Sequence, residues 1–79
     1  MAPTVALEGR LRFVVYPREN DFEPPHVHVW VGHIDLCRIE LHAGEFMEDP
    51  PVGMRRGIAA AYKKHAVAIR MAWDELHRR

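Results

Sequence analysis

Residues 26–41, HVHVWVGHIDLCRIEL, decide the fold. Val27, Val29 and Val31 fall on one parity and His26, His28 and Trp30 on the other, the two-residue period of a strand with one face in a core. Gly32-His33 interrupts the alternation with a two-residue turn and apolar residues resume at Ile34, so a hairpin is predicted. In the third strand, Ile34–Leu41, Ile34 and Leu36 share a parity that Ile39 and Leu41 abandon. One extra residue, a β-bulge near Cys37 and Arg38, accounts for the change.

Working outward, residues 10–16 (RLRFVVY) alternate with Leu11, Phe13 and Val15 on one side, a further half-buried strand that Pro17 closes. Residues 18–25 are polar and end in Pro24-Pro25, which holds the chain extended and denies helix, so they form a loop. After the hairpin, His42-Ala43-Gly44-Glu45 supplies a turn and Glu45–Glu48 a short edge strand. At Asp49 the pattern changes. Asp49 suits an N-cap, Pro50 and Pro51 suit a first helical turn, and a helical period runs to Leu76. Its stripe is Met54, Ile58, Ala61, Tyr62, His65, Ile69, Ala72, Trp73 and Leu76 at steps of three and four. About 25 helical residues would span roughly 38 Å, so a bend between Gly57 and His65 is expected.

These elements make a small α+β domain: an antiparallel sheet of three to four strands packed against a long C-terminal helix, with residues 1–79 forming a single domain. The expected core is Leu11, Phe13, Val15, Val27, Val29, Ile39, Leu41, Ile58, Tyr62, Ile69, Trp73 and Leu76. The chain has 79 residues, 48% of them hydrophobic and 28% charged, which is the composition of one folded unit and not of a disordered tail. One cysteine, Cys37, excludes an intramolecular disulfide framework; with no charged-then-apolar leader it favours a cytoplasmic location. No apolar run approaches the roughly 20 residues that cross a bilayer, so no membrane partner is expected. A chain this small has little room for a deep pocket, which points away from an enzyme and toward a domain that binds something larger.

The formal charge is zero, with 11 basic and 11 acidic residues, but the two signs are segregated. Between residues 18 and 49 the acids Glu19, Asp21, Glu23, Asp35, Glu40, Glu45, Glu48 and Asp49 face only Arg18 and Arg38. Beyond residue 50 the bases Arg55, Arg56, Lys63, Lys64, Arg70, Arg78 and Arg79 face only Asp74 and Glu75. A dipolar surface of this kind steers a charged partner onto one face. Arg56, Lys63, Arg70 and His77 recur every seven residues and form a basic ridge on the helix. Ala60, Val67 and Met71 form a second, weaker apolar strip away from the core, either incidental to an alanine-rich helix or a partner or dimer surface.

His26 and His28 lie two apart on a strand, so their side chains share a face at about 6 to 7 Å, a spacing compatible with two metal ligands. Further ligands would have to come from His33, His42, Asp21 or Glu23 at no diagnostic spacing, and neither a metal nor a cofactor is expected. The bland alternative packs both imidazoles beside Trp30. Cys37, in mid-strand, is expected to be a small buried thiol. Arg55, Arg56, Lys63, Lys64 and Arg70 could touch nucleic acid, but Tyr62 is their only interleaved aromatic and the acidic stretch opposes a polyanion.

Four stretches resemble a bacterial family catalogued as domain of unknown function 4160. They are Arg12-Phe13-Val14-Val15-Tyr16, the loop and strand Glu23-Pro24-Pro25-His26-Val27-His28-Val29, the turn Leu41-His42-Ala43-Gly44-Glu45, and the closing Ala72-Trp73-Asp74-Glu75-Leu76. The Pro-Pro-His-x-His-Val string is the specific part, and the likeness covers most of the chain. It implies a small α+β domain encoded beside a short partner protein in a toxin–antitoxin arrangement, with His26 and His28 as signature positions. Trp30-Val31-Gly32-His33 replaces a more polar turn, and the last helix is unusually rich in alanine and arginine; both departures bear on the partner more than on the fold.

The function expected from the residues is that of a small non-enzymatic prokaryotic or phage conflict-system protein. It inhibits a larger protein or nucleoprotein complex, in the manner of an anti-CRISPR protein, by direct binding through an acidic surface made of Glu19, Asp21, Glu23, Glu45, Glu48 and Asp49. The alternative is one component of a toxin–antitoxin pair, with a small co-encoded partner and His26 and His28 as the functional site. A weaker alternative is a nucleic-acid binder using Arg56, Lys63 and Arg70.

Overall fold

A computed structural model describes residues 3–17 and 23–77. The chain is α+β: strands β1 (Thr4–Glu8), β2 (Leu11–Val14), β3 (His26–Val31) and β4 (Ile34–Glu40) precede one helix, α1 (Arg55–Leu76). The strands form one sheet in the order β1-β2-β3-β4, with every neighbouring pair antiparallel. Two of the connections are two-residue loops that open on a left-handed glycine, Gly9 at φ +58° and Gly32 at φ +59°. Only glycine takes that conformation without strain, and it turns the chain in the sense that matches strand twist.

Three expectations are corrected. The expected strand at 10–16 shortens to β2, and a further strand, β1, precedes it; β1 lies on the sheet edge, where a register shift between Thr4 and Ala6 destroys the alternation. The segment after Glu45 adds one bridge, Ile39 with Phe46, and backbone bonds from Glu40 N to Glu45 O (2.9 Å) and Met47 N to Arg38 O (2.8 Å), which cover the β4 edge. Asp49 does not cap the helix. Gly53 stands at φ +83°, outside helical backbone, so α1 begins at Arg55 with Met54 as an N-cap that has no side-chain bond. The helix then runs unbroken for 22 residues, about 33 Å.

The bulge exists one position from where parity placed it. Val29 pairs with Cys37 but Trp30 pairs with Asp35, leaving Leu36 as the extra residue. Phe13, Val15, Val27, Val29, Cys37, Ile39 and Leu41 from the sheet side meet Ile58, Ala61 and Ile69 of α1 in one core. Burying each large side chain of this set stabilises the fold by roughly 1.5–3 kcal/mol. Leu11, Tyr62, Trp73 and Leu76 are only partly buried and pack at its margin. Glu8 pins the helix to the sheet edge, accepting from His65 Nε2 at 2.9 Å and lying 3.2 Å from Lys64 Nζ. Those two bonds, the His65 one foremost, hold its carboxyl below the usual carboxylate range.

Candidate functional site

His26 and His28 share a face, as the alternation requires, but their environments differ. His26 is 0% exposed, and its Nδ1–H donates to the carbonyl of Pro24 at 2.8 Å. Its ring lies 5.8 Å from Trp73 of α1 and 5.2 Å from His28. Pro24-Pro25 therefore does two things: it fixes the strand entrance and offers the carbonyl that orients the first imidazole. Next to it, Leu41 N donates to Pro25 O at 2.8 Å, tying the loop end to the far end of β4.

His28 sits at the margin of the same face, edge-on to Tyr16 with ring centroids 4.6 Å apart. Its Nδ1–H points at Asp35 Oδ2, 3.0 Å away. The bulge makes this pair. With regular pairing Asp35 would oppose Val31 and face the other way; the extra Leu36 sets Asp35 opposite Trp30, on the face of His28. A carboxylate on Nδ1 places the ring proton there and fixes the orientation of the imidazole. Among the described residues no group of three His, Cys, Asp or Glu side chains is placed to hold a metal ion.

Directly across from His28 stands Arg38. Its Nε and Nη2 donate to Glu48 Oε2 at 2.9 and 2.6 Å, and its Nη1 donates to Glu23 Oε2. The Glu48 bonds and then the Glu23 bond raise the guanidinium pKa, and the Arg38 bond lowers that of Glu23. One guanidinium thus fastens the loop end at Glu23 and the segment at Glu48 onto β4. Two carboxylates on one cation leave a net negative charge.

Glu40 closes the next turn, accepting from the backbone N–H of Ala43 at 2.6 Å and Gly44 at 3.3 Å. The Ala43 bond is the main reason its carboxyl is held low. Gly44 is required there twice over: its φ is +75°, and a Cβ would come 3.2 Å from the Tyr62 ring. The candidate acids therefore divide. Glu23 and Glu48 are held by Arg38, whereas Glu45 is exposed and Asp49, with 96% of its side chain exposed, pairs with Arg55 at 2.9 Å. Glu19 and Asp21 lie outside the described residues.

On α1, Arg56 and Lys63 are exposed, and Arg70 lies 3.5 Å from Asp74 one turn on. His77 leaves the expected ridge. It stacks on Trp73 at 3.7 Å and donates from Nδ1 to the Trp73 carbonyl at 2.9 Å, an oxygen that also accepts the His77 backbone N–H at 3.0 Å. Cys37 is buried, and burial pushes its thiol up to about 11, which makes it a poor nucleophile.

Sequence spacing did not single out Asp35, Arg38, Glu40 or Tyr16, because each acts through a partner brought close by the bulge or by the loop closures. Among the described residues no helix is long and apolar enough to cross a membrane. No family model, curated protein or solved structure matches this chain.

Proposed function

We propose that the protein acts by binding: a non-enzymatic conflict-system inhibitor of prokaryotic or phage origin that covers a basic surface on a larger protein or nucleoprotein complex. The observation that supports this most is the Arg38 clamp. It holds Glu23 and Glu48 together on β4, with Glu45 and Asp49 exposed on the same 41–49 segment. Acids fixed before contact lose little conformational freedom on binding, and their summed field speeds encounter with a cationic surface. A basic channel built for nucleic acid is such a surface.

The test is affinity capture from the native host with the wild-type chain and with Glu45→Lys plus Asp49→Lys. Those two positions are chosen because neither touches Arg38. Recovery of a large nucleoprotein complex by the wild type, lost with the reversals, supports the proposal. Equal recovery by both chains rejects it.

A second function, one component of a toxin–antitoxin pair, is favoured by the His28–Asp35 pair and Tyr16, and by the resemblance to the family named above. There the small co-encoded partner would cover His28. Under that function His28→Ala and Asp35→Asn each abolish growth inhibition while the chain still unfolds cooperatively; a fully toxic His28→Ala chain removes it.

A further inference from the structure

The flank of α1 beside the sheet edge holds two features that the acidic side does not use. A hollow of about 570 Å³ opens where the first turns of α1 meet the hairpin ends, lined by Leu11, Ile34, Leu36, Met54, Gly57 and Ala61. Its size lies within the range of ligand sites, and its walls are mostly apolar. From Gly57 an exposed strip of small and apolar residues continues along the helix through Ala60, Val67, Ala68 and Met71, with Lys64 standing in its middle, paired at 3.2 Å to Glu8, which also lines the hollow. Val67 is 75% exposed, Met71 66% and Ile34 65%. Arg56 and Lys63 border the strip on its other side.

Gly57 adds an independent argument. A glycine inside a helix costs roughly 0.5–1 kcal/mol relative to alanine, and here a Cβ would meet nothing within 4 Å. No contact within the described chain calls for glycine at this position. What a missing side chain permits is the close approach of another backbone from outside.

We infer that this flank is the docking site for an amphipathic α-helix of a partner protein, one with carboxylates along the edge of its apolar face. The strip takes the apolar face and the hollow takes the larger side chains at one end. Arg56 and Lys63 meet the carboxylates, while Gly57, Ala60 and Ala68 let the two helices approach closely. Charge decides among occupants. A second copy laid along α1 would set one basic ridge against another. A nucleic acid would match the bases but leave Val67 and Met71 against phosphates, and a flat bilayer surface would not enter the hollow. This inference stands apart from the acidic side, and either can fail alone.

The probe is a fluorescent synthetic helix of about 18 residues, with leucines at helical spacing and glutamates flanking them, titrated into the full chain. Its counterpart carries lysines in place of the glutamates. The expected result is at least tenfold tighter binding of the acidic peptide, with amide shifts in nuclear magnetic resonance confined to residues 54–71 and the hollow. Gly57→Leu, whose side chain projects into open space, should weaken binding at least tenfold while leaving the fold unchanged. Should Gly57→Leu melt early, Val67→Gln with Met71→Gln, both on the surface, serves in its place with the same expected loss. Equal binding of the two peptides, shifts elsewhere or unaltered affinity in these variants overturns the inference. So does preferential occupation of the same residues by an RNA oligonucleotide, by anionic vesicles or by a second copy of the chain.

Discussion

The β4 side of the molecule and the outer flank of α1 carry opposite charge and hold it in different ways. On the β4 side the chain answers most of its acids itself: Arg38 binds Glu23 and Glu48, the 41–44 turn binds Glu40, and His28 binds Asp35. On α1, among the described residues, Arg56 and Lys63 join none of the ion pairs, and the apolar residues beside them stay exposed. The contrast separates charge that the fold gathers and fixes, leaving Glu45 and Asp49 facing outward, from charge on a helix flank that the fold does not use. An acidic count alone would have treated Glu23 and Glu45 as equals; the first anchors a loop and the second faces outward.

The sharpest break of the comparison sets the two histidines against each other. His26→Ala removes a fully buried ring, its bond to Pro24 and its contact with Trp73, and should cost about 2–5 kcal/mol. For a domain of this size that lowers the melting temperature by more than about 10 °C. His28→Ala should cost less, about 1–2 kcal/mol, because its side chain keeps 13% exposure and its bond is to an exposed carboxylate. Thermal unfolding of the two variants checks this, and equal losses would mean that burial does not divide them. For the same reason a double substitution cannot isolate function, since its effect would be dominated by His26.

Next in size is the clamp. Arg38→Met should cost about 1–2 kcal/mol, reduced from the sum of its charge-assisted bonds because all three side chains retain solvent contact. Amide exchange should then rise at Glu23 and over residues 45–48 and stay unchanged on α1. A rise spread evenly over the sheet would show that Arg38 supports the fold generally and does not gather the acidic side.

A smaller effect follows from acid titration. The carboxyls of Glu8, Glu23 and Glu40 all titrate below their ordinary value of 4.5 in the folded chain. Groups of this sort contribute stability that is present above the unfolded value and lost as pH falls through the lowered folded values. The melting temperature should therefore be level above about pH 5 and decline below about pH 4.5, and Glu8→Gln should flatten part of the decline. A melting temperature that rises on acidification would contradict these assignments.

The smallest change is expected at Gly57. Replacing it by alanine should stabilise the chain by about 0.5–1 kcal/mol, since the new Cβ meets open space and the helix gains propensity. Destabilisation on chemical unfolding would show that an internal contact needs the glycine.

Much of the architecture was legible because it depends on local period. The 26–41 hairpin and the α1 stripe each repeat a burial pattern that only one element satisfies. β1 was not legible: a five-residue edge strand with an internal register shift has no clean alternation. The helix start was misplaced because Asp49-Pro50-Pro51 imitates a cap and first turn, while the left-handed Gly53 two residues later decides against it. At the site, the shared face of His26 and His28 could be read, but not the burial of one and the carboxylate on the other. Asp35 reaches His28 only through a bulge of one residue, and Arg38 joins glutamates 15 positions before it and 10 after it, at separations that no local rule covers.

The most direct test of the account is hydrogen exchange on the complex captured from the native host, compared with the free chain. The account predicts new protection over residues 41–49, where Glu45 and Asp49 face outward, and no partner contact at Asp35 and His28. Protection centred on residues 26–28 and Asp35, with none over 41–49, would contradict the acidic binding surface and put the function at the histidine pair.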